Sequence, residues 1–184
     1  RLAHHYLKRG AVIVGLEPSC MTMFKDDYTD LVKSPENLLT HNSLLIEEFL
    51  AERAPLLKTL SFASVPRKIL FHGHCHQKAL IGTEPAMTTL KSIPGCAPEE
   101  IDAGCCGMAG AFGYEKEHYD ISMSIGRQKL FPAIESMDTD WEIATMGISC
   151  RQQIEHSANK TPQHLIEFLL STFTNSFSTE TGSK

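Results

Sequence analysis

Two adjacent cysteines between glycines, Gly104-Cys105-Cys106-Gly107, carry the strongest chemical signal in the chain. Successive side chains on a strand face opposite ways, so both thiols serve one point only from a turn, and the flanking glycines supply the backbone freedom for it. Cys20, Cys75 and Cys150 each follow an apolar, strand-like run. Cys75, the 105–106 pair and Cys150 therefore form a four-thiol set drawn from three turns that can converge, and such a set suits an iron–sulfur cluster or zinc. Glycines at 107, 110 and 113 leave backbone N–H groups accessible to sulfur or a bound anion. The same residues also permit a vicinal disulfide at 105–106, or a cysteine nucleophile with a histidine base. His72, His74 and His76 alternate around Cys75. On a continuing strand His74 faces away from Cys75; alternatively the three are turn residues bonding backbone, or His76 is an outer donor to the site. Cys96, alone in a Pro/Gly-rich loop, reads as a small buried hydrophobe.

The elements that must position these groups alternate between strands and helices. Leu2, Ala3, Tyr6 and Leu7 keep helical spacing, so the sequence opens inside an amphipathic helix that Gly10 ends. Residues 11–16 read as a strand, Glu17-Pro-Ser-Cys20 as a turn and 25–35 as a charged loop. Asn42 or Ser43 is expected to cap a helix carrying Leu44, Leu45, Ile46, Phe49 and Leu50. A strand over 68–71, a helix through 87–90 and a weak strand at 99–102 follow, then a long helix over 114–131 ended by Pro132. Residues 141–146 form the next strand, 147–150 a turn, and 163–173 a closing helix capped near Thr161 with Pro162 at its first position. Residues 12–20 with 45–50 resemble 143–150 with 165–169, each reading strand, Ser-Cys, then a helix starting Leu-Ile-Glu, which suggests an internal duplication. The expected class is α/β with mainly parallel strands and flanking helices, in which ligand residues gather beyond the carboxyl ends of strands.

Composition narrows the function classes. With 184 residues and 42% hydrophobic content the chain can bury a core of its own, and no stretch approaches the roughly 18 apolar residues of a membrane span. Seventeen Lys and Arg against 22 Asp and Glu give a net charge of −5, with no basic stripe of the kind that nucleic acid requires. Six cysteines are too sparse for a secreted disulfide scaffold. The opening inside a helix reads as a fragment of a longer polypeptide, and the Ser/Thr-rich residues 174–184 as a disordered tail.

Glu17-Pro-Ser-Cys20, His72-Gly-His-Cys-His-Gln-Lys-Ala79, Gly104-Cys-Cys-Gly-Met-Ala-Gly110 and Gly147-Ile-Ser-Cys-Arg-Gln-Gln-Ile154 together resemble the cysteine-rich, or CCG, domain family. That domain occurs in the glycolate oxidase iron–sulfur subunit and in subunits of heterodisulfide reductase and of anaerobic glycerol-3-phosphate dehydrogenase. His118-Tyr-Asp120 and Leu130-Phe-Pro132 make the resemblance strongest to the C-terminal end of single-chain FAD-linked D-lactate, glycolate and D-2-hydroxyglutarate dehydrogenases.

The resemblance implies one partial repeat over 1–60 and a complete second one over 61–173. It assigns Cys75, Cys105, Cys106 and Cys150 to a [4Fe–4S] cluster, with zinc in its place as the alternative, and makes Cys20 the last cysteine of the first repeat. It implies a cytoplasmic electron-transfer domain passing electrons from flavin to an acceptor. Its partners would be the flavin and ferredoxin-like domains of the same polypeptide, the FAD lying in an upstream part, with peripheral membrane association through that parent. The alternative is a zinc-binding docking module of the same enzyme with no redox role. Either way the isolated chain is expected to catalyse nothing. One departure stands out: Cys150 is followed by Arg-Gln-Gln153, so the fifth thiolate of a full Cys-x-x-Cys ending is absent. That speaks against a noncubane cluster, while four cysteines suffice for a cubane.

Overall fold

The run Arg67-Lys-Ile-Leu-Phe-His72 alternates its apolar side chains between two faces, and it becomes the middle strand of a three-stranded parallel sheet. The computed structural model describes residues 2–32, 37–57 and 59–173. In chain order the elements begin with α1 (Leu2–Leu7), β1 (Ile13–Gly15), α2 (Pro18–Thr22), a π-turn over Met23–Asp27, α3 (Tyr28–Leu31) and α4 (Leu38–His41). They continue with β2 (Ser43–Leu45), α5 (Ile46–Ala51), α6 (Ala54–Leu57), β3 (Arg67–His72), α7 (Cys75–Leu80), α8 (Glu84–Ser92) and β4 (Cys96–Glu100). A 3₁₀ turn at Phe112–Tyr114, α9 (Tyr119–Gln128), α10 (Leu130–Glu135), β5 (Trp141–Thr145), α11 (Ile148–Ala158) and α12 (Leu165–Thr172) complete the described chain.

The strand order is β4-β3-β5, all parallel, beside a separate parallel pair β1-β2. Helices cover both faces of the larger sheet, which makes the class α/β. Ile69, Phe71 and Ala144 face α8 and α12, where Leu90, Leu165 and Phe168 are fully buried. Leu70 and Ile143 face α9, α10 and α11 through Met123, Leu130, Ile134 and Ile154. Each fully buried aliphatic or aromatic side chain contributes about 1.5–3 kcal/mol, so the two faces lock the sheet and with it the loops beyond its carboxyl ends. Among the described residues no helix is long and apolar enough to cross a membrane.

Several local expectations are corrected. The residues after β1 form α2 instead of a turn, because Pro18 sits at the first helical position with its φ already set, and the Glu17 carboxylate accepts from the Ser19 N–H at 3.3 Å. The expected loop from residue 25 is helical through Leu31, anchored by Lys25, whose Nζ donates to Glu48 at 2.9 Å and to the Ser43 carbonyl at 3.2 Å. Ser43, Leu44 and Leu45 are strand, not helix; α5 starts at Ile46, and the Leu45 N–H donates to Glu48 Oε2 at 2.7 Å as its cap.

The edge strand β4 of the main sheet begins at Cys96, so Cys96 opens a strand rather than lying in a loop, and Pro98 is tolerated there because the strand is at an edge. The long helix is broken at Lys129 into α9 and α10, with Pro132 in the first turn of the second. Gly126 lets the chain fold back, since a Cβ there would lie 2.3 Å from the Phe131 ring. Residues 148–150 begin α11 and are not a turn, and α12 is capped by His164, whose Nδ1 accepts from the Ile166 N–H at 3.2 Å, and not near Thr161. The expected tail, 174–184, lies outside the described residues.

The two similar segments adopt one local geometry. Cys20 and Cys150 are each the third residue of a helix that follows a strand. Val14 pairs in parallel with Leu44, and Ala144 with Gln163. Glu48 and Glu167 then cap α5 and α12 from the same position, through the N–H groups of Leu45 and His164. These caps align Glu48-Phe49-Leu50 with Glu167-Phe168-Leu169, one residue away from the Leu-Ile-Glu match that the sequence suggests.

Candidate functional site

Three segments leave the carboxyl ends of β3, β4 and β5 and meet there. After β3, Gly73 passes where a Cβ would come within 2.5 Å of Thr83 and 2.7 Å of Lys78, and His74 then caps α7 so that Cys75 opens the helix. The His74 N–H donates to Gln77 Oε1 at 3.1 Å, and its Nδ1 accepts from the His76 N–H at 3.1 Å. That acceptor role assigns the ring proton to Nε2, which lies 3.4 Å from Ser149 Oγ. After β5, Gly147 is obligatory: a Cβ would sit 2.0 Å from the His74 ring. His74 thus does not continue the strand, as expected from alternation, but turns in against the start of α11.

The 105–106 turn is held from both sides. The Gly107 N–H donates to Cys105 Sγ at 3.3 Å, and Gln153 Nε2 donates to the Cys106 carbonyl and to Ser122 Oγ, both at 3.1 Å. Gly107 has φ +96°, and a Cβ would lie 2.2 Å from the Ser122 carbonyl oxygen. Only glycine satisfies both constraints. Ala109 and Gly110 are also left-handed, at φ +44° and +69°, which curls the chain around the thiols.

The structure brings together Cys75, Cys105, Cys106 and Cys150. They form a hydrogen-bonded chain in which Cys105 receives bonds from Cys106 and Cys75, and Cys150 receives one from Cys106. These bonds hold Cys105 and Cys150 well below the usual thiol range; the Gly107 N–H adds to the first and His72 to the second. Cys75 and Cys106, as donors to those thiolates and as partly or wholly desolvated groups, are pushed far up. The four sulfurs thus share their protons, and a cationic group taking the place of those protons would satisfy them.

A pocket of about 290 Å³ opens on Cys75, Cys105 and Cys106, with His74, His76 and Ser149 around it. Soft thiolates from rigid strand ends fit an iron–sulfur cluster or zinc. Among the described residues, however, no three histidine, cysteine or carboxylate side chains already stand around one ion-sized point.

Other expected residues fall elsewhere. Cys20 is exposed on α2 and outside the thiol chain, although α2 packs on α7 and Ser19 reaches the pocket. Cys96 pairs with Arg67 at the opposite end of the sheet and is half-buried against the α8 and α12 core. His76 lines the pocket, its ring edge-on to His74 at 5.3 Å.

Glu17, Ser149 and Gln153 lie within motifs that the sequence shows, and Glu47 in the repeated Leu-Ile-Glu, but the sequence assigns none of them a role. Glu17 accepts from the Ile148 N–H at 2.9 Å, tying α2 to α11. Fully buried Glu47 accepts from Gln77 Nε2 at 2.8 Å, and Gln77 in turn holds His74. Their roles come from partners in distant segments, Gln77 and the Ile148 N–H, which the local motifs do not encode.

The chain is 29% identical over 161 residues to a subunit of anaerobic glycerol-3-phosphate dehydrogenase from Escherichia coli (strain K12), a match that covers 88% of this chain and 40% of that protein. It is 29% identical over 165 residues to D-2-hydroxyglutarate dehydrogenase of Escherichia coli (strain K12), 89% of this chain and 16% of the relative. The same enzyme of Pantoea ananatis (strain AJ13355) matches at 29% over 164 residues, again 89% and 16%. The chain thus spans less than half the length of these curated relatives. No protein-family model matches the chain, and no solved structure does.

Proposed function

We propose that the chain is the iron–sulfur electron-transfer part of an FAD-dependent dehydrogenase acting on a D-2-hydroxy acid of the lactate, glycolate or 2-hydroxyglutarate type. The observation that carries this reading is that Cys75, Cys105 and Cys106 from two strand ends line one pocket, while Cys150 from the third lies with Cys106 in the same buried cluster. Similarity to a glycerol-3-phosphate dehydrogenase subunit and to D-2-hydroxyglutarate dehydrogenases supports an oxidoreductase context. These four cysteines would hold a [4Fe–4S] cluster, which when bound supplies one-electron transfer.

The chain's own residues prepare the site. Gly107 holds Cys105 Sγ, Gln153 pins the Cys106 carbonyl, and the sheet fixes Cys75 and Cys150 at the starts of α7 and α11. Residues 61–173 form the complete CCG repeat in this reading, and 1–60 part of another that contributes Cys20; the matched pairing of Val14 with Leu44 and Ala144 with Gln163 supports it. Flavin and ferredoxin-like domains of the same polypeptide would be the immediate partners, and six free thiols favour the reducing cytoplasm.

The test is metal and acid-labile sulfide analysis with EPR on protein prepared without oxygen. Four irons and four sulfides per chain with a signal on reduction are expected. A colourless protein that binds zinc stoichiometrically and no iron after anaerobic reconstitution would overturn the reading in favour of a structural docking module.

A further inference from the structure

Among the described residues three histidines are buried, and two of them are spent on structure. His74 and His164 each accept a backbone N–H at Nδ1 and place Nε2 on a second partner, Ser149 Oγ or the Leu16 carbonyl. His72 is different. It ends β3 in register with Thr145 of β5, its carbonyl accepting from Thr145 Oγ1 at 2.8 Å. Its side chain is wholly buried, yet neither ring nitrogen has a hydrogen-bond partner of regular geometry among the described residues.

A buried polar ring left this way is costly and points to a group that the site is built to receive. What the imidazole faces is sulfur. His72 stands between the two thiol-bearing segments: it precedes the turn into Cys75 at the start of α7, and it pairs with Thr145 at the end of β5, the strand that leads to Cys150 on α11.

We propose that His72 is a positioning residue whose ring N–H donates to the sulfur of Cys150 when the four thiolates hold a cluster, raising the reduction potential of that cluster. The inference rests on the iron–sulfur reading above. A donor to a thiolate stabilises the more negative, reduced state, and hydrogen bonds to sulfur are among the levers that set such potentials. Removing the donor leaves the four ligands in place and lowers the affinity for the electron.

The experiment is an EPR-monitored redox titration of the anaerobically reconstituted chain as His72→Leu and His72→Asn. In His72→Leu the equilibrium constant for reduction is expected to fall about tenfold, a shift of about 59 mV for one electron, at unchanged iron and sulfide content. His72→Asn, which keeps an N–H, is expected to recover most of it. Wild-type potential in a fully loaded His72→Leu protein overturns the proposal.

Pulsed EPR on wild-type and His72→Asn protein with ¹⁵N-labelled histidine gives a second readout that does not depend on His72→Leu folding. A weak nitrogen coupling that His72→Asn removes is expected. No histidine coupling, or a strong one typical of a direct ligand, overturns the proposal. Failure of the wild type to bind iron and sulfide overturns the underlying reading instead.

Discussion

Glu47→Gln should change the pH dependence of folding stability by a predictable amount. Glu47 is fully buried, its Oε1 accepts from Gln77 Nε2 at 2.8 Å, and its Oε2 has no partner among the described residues. Burial, reinforced by neighbouring Glu48 and opposed by hydrogen bonds and Lys25, raises its carboxyl from 4.5 to about 7. A raised carboxyl makes the folded state the tighter proton binder, so stability falls as pH rises from the unfolded value towards the folded one, and the loss is complete above about 7. The interval between those values at about 1.4 kcal/mol per unit gives a ceiling of about 3 kcal/mol, of which about 2–3 kcal/mol falls between pH 5 and pH 8.

Glutamine keeps the acceptor for Gln77 and cannot ionise. Its amide N–H₂ replaces the unpartnered oxygen and adds an unsatisfied donor costing about 1–3 kcal/mol, but that penalty is the same at every pH. The informative quantity is therefore the difference between variant and wild type as a function of pH, read from urea unfolding of the reduced, metal-free protein. The variant should gain about 2–3 kcal/mol on the wild type from pH 5 to pH 8. A difference that stays flat to within about 0.5 kcal/mol would refute the argument that Glu47 is desolvated enough to hold its proton.

Gly107→Ala should destabilise the protein by about 2–5 kcal/mol in the same unfolding assay and abolish iron retention, because it combines a left-handed φ with a Cβ 2.2 Å from the Ser122 carbonyl oxygen. Cys106→Ala removes the leading stabiliser of the Cys105 and Cys150 thiolates, so thiolate absorbance near 240 nm should appear at higher pH than in the wild type; an unchanged profile would contradict the hydrogen-bonded chain. Cys20→Ser should leave iron and sulfide content unaltered, since Cys20 is exposed and outside that chain; loss of iron would place it among the ligands. Glu17→Ala should cost about 1–2 kcal/mol, the usual effect of deleting a helix cap, measured at neutral pH.

The thiol set is legible in the sequence because a parallel strand delivers the residues after it to one end of the sheet, and Cys75 and Cys150 follow recognisable apolar runs. The helices that carry Cys20 and Cys150 are not, since Pro18 and Gly147 read as turn residues until the Glu17 cap and the His74 ring beside Gly147 are seen. Ser43-Leu-Leu45 reads as helix because a short apolar run has no decisive period; only pairing with β1 makes it a strand. The break at Lys129 depends on a tertiary contact, Gly126 against Phe131, that no local pattern encodes. His72 reads as a turn residue for a similar reason: whether a histidine at a strand end is wet or buried depends on what other segments lie over it. The caps at His74 and His164 are hidden because histidine is not among the residues normally expected at that position.

The carboxylate of Glu17 has a mechanical consequence. One oxygen serves the first turn of α2 and the other the first N–H of α11, so the two cysteine-bearing helices share a single end-stop. Their positive ends are neutralised together, and neither can swing outward without stripping the other of its cap. A displacement of α2 is thereby transmitted to the first turn of α11, which carries Cys150, so this one carboxylate acts as a strut between the amino-terminal segment and the thiols.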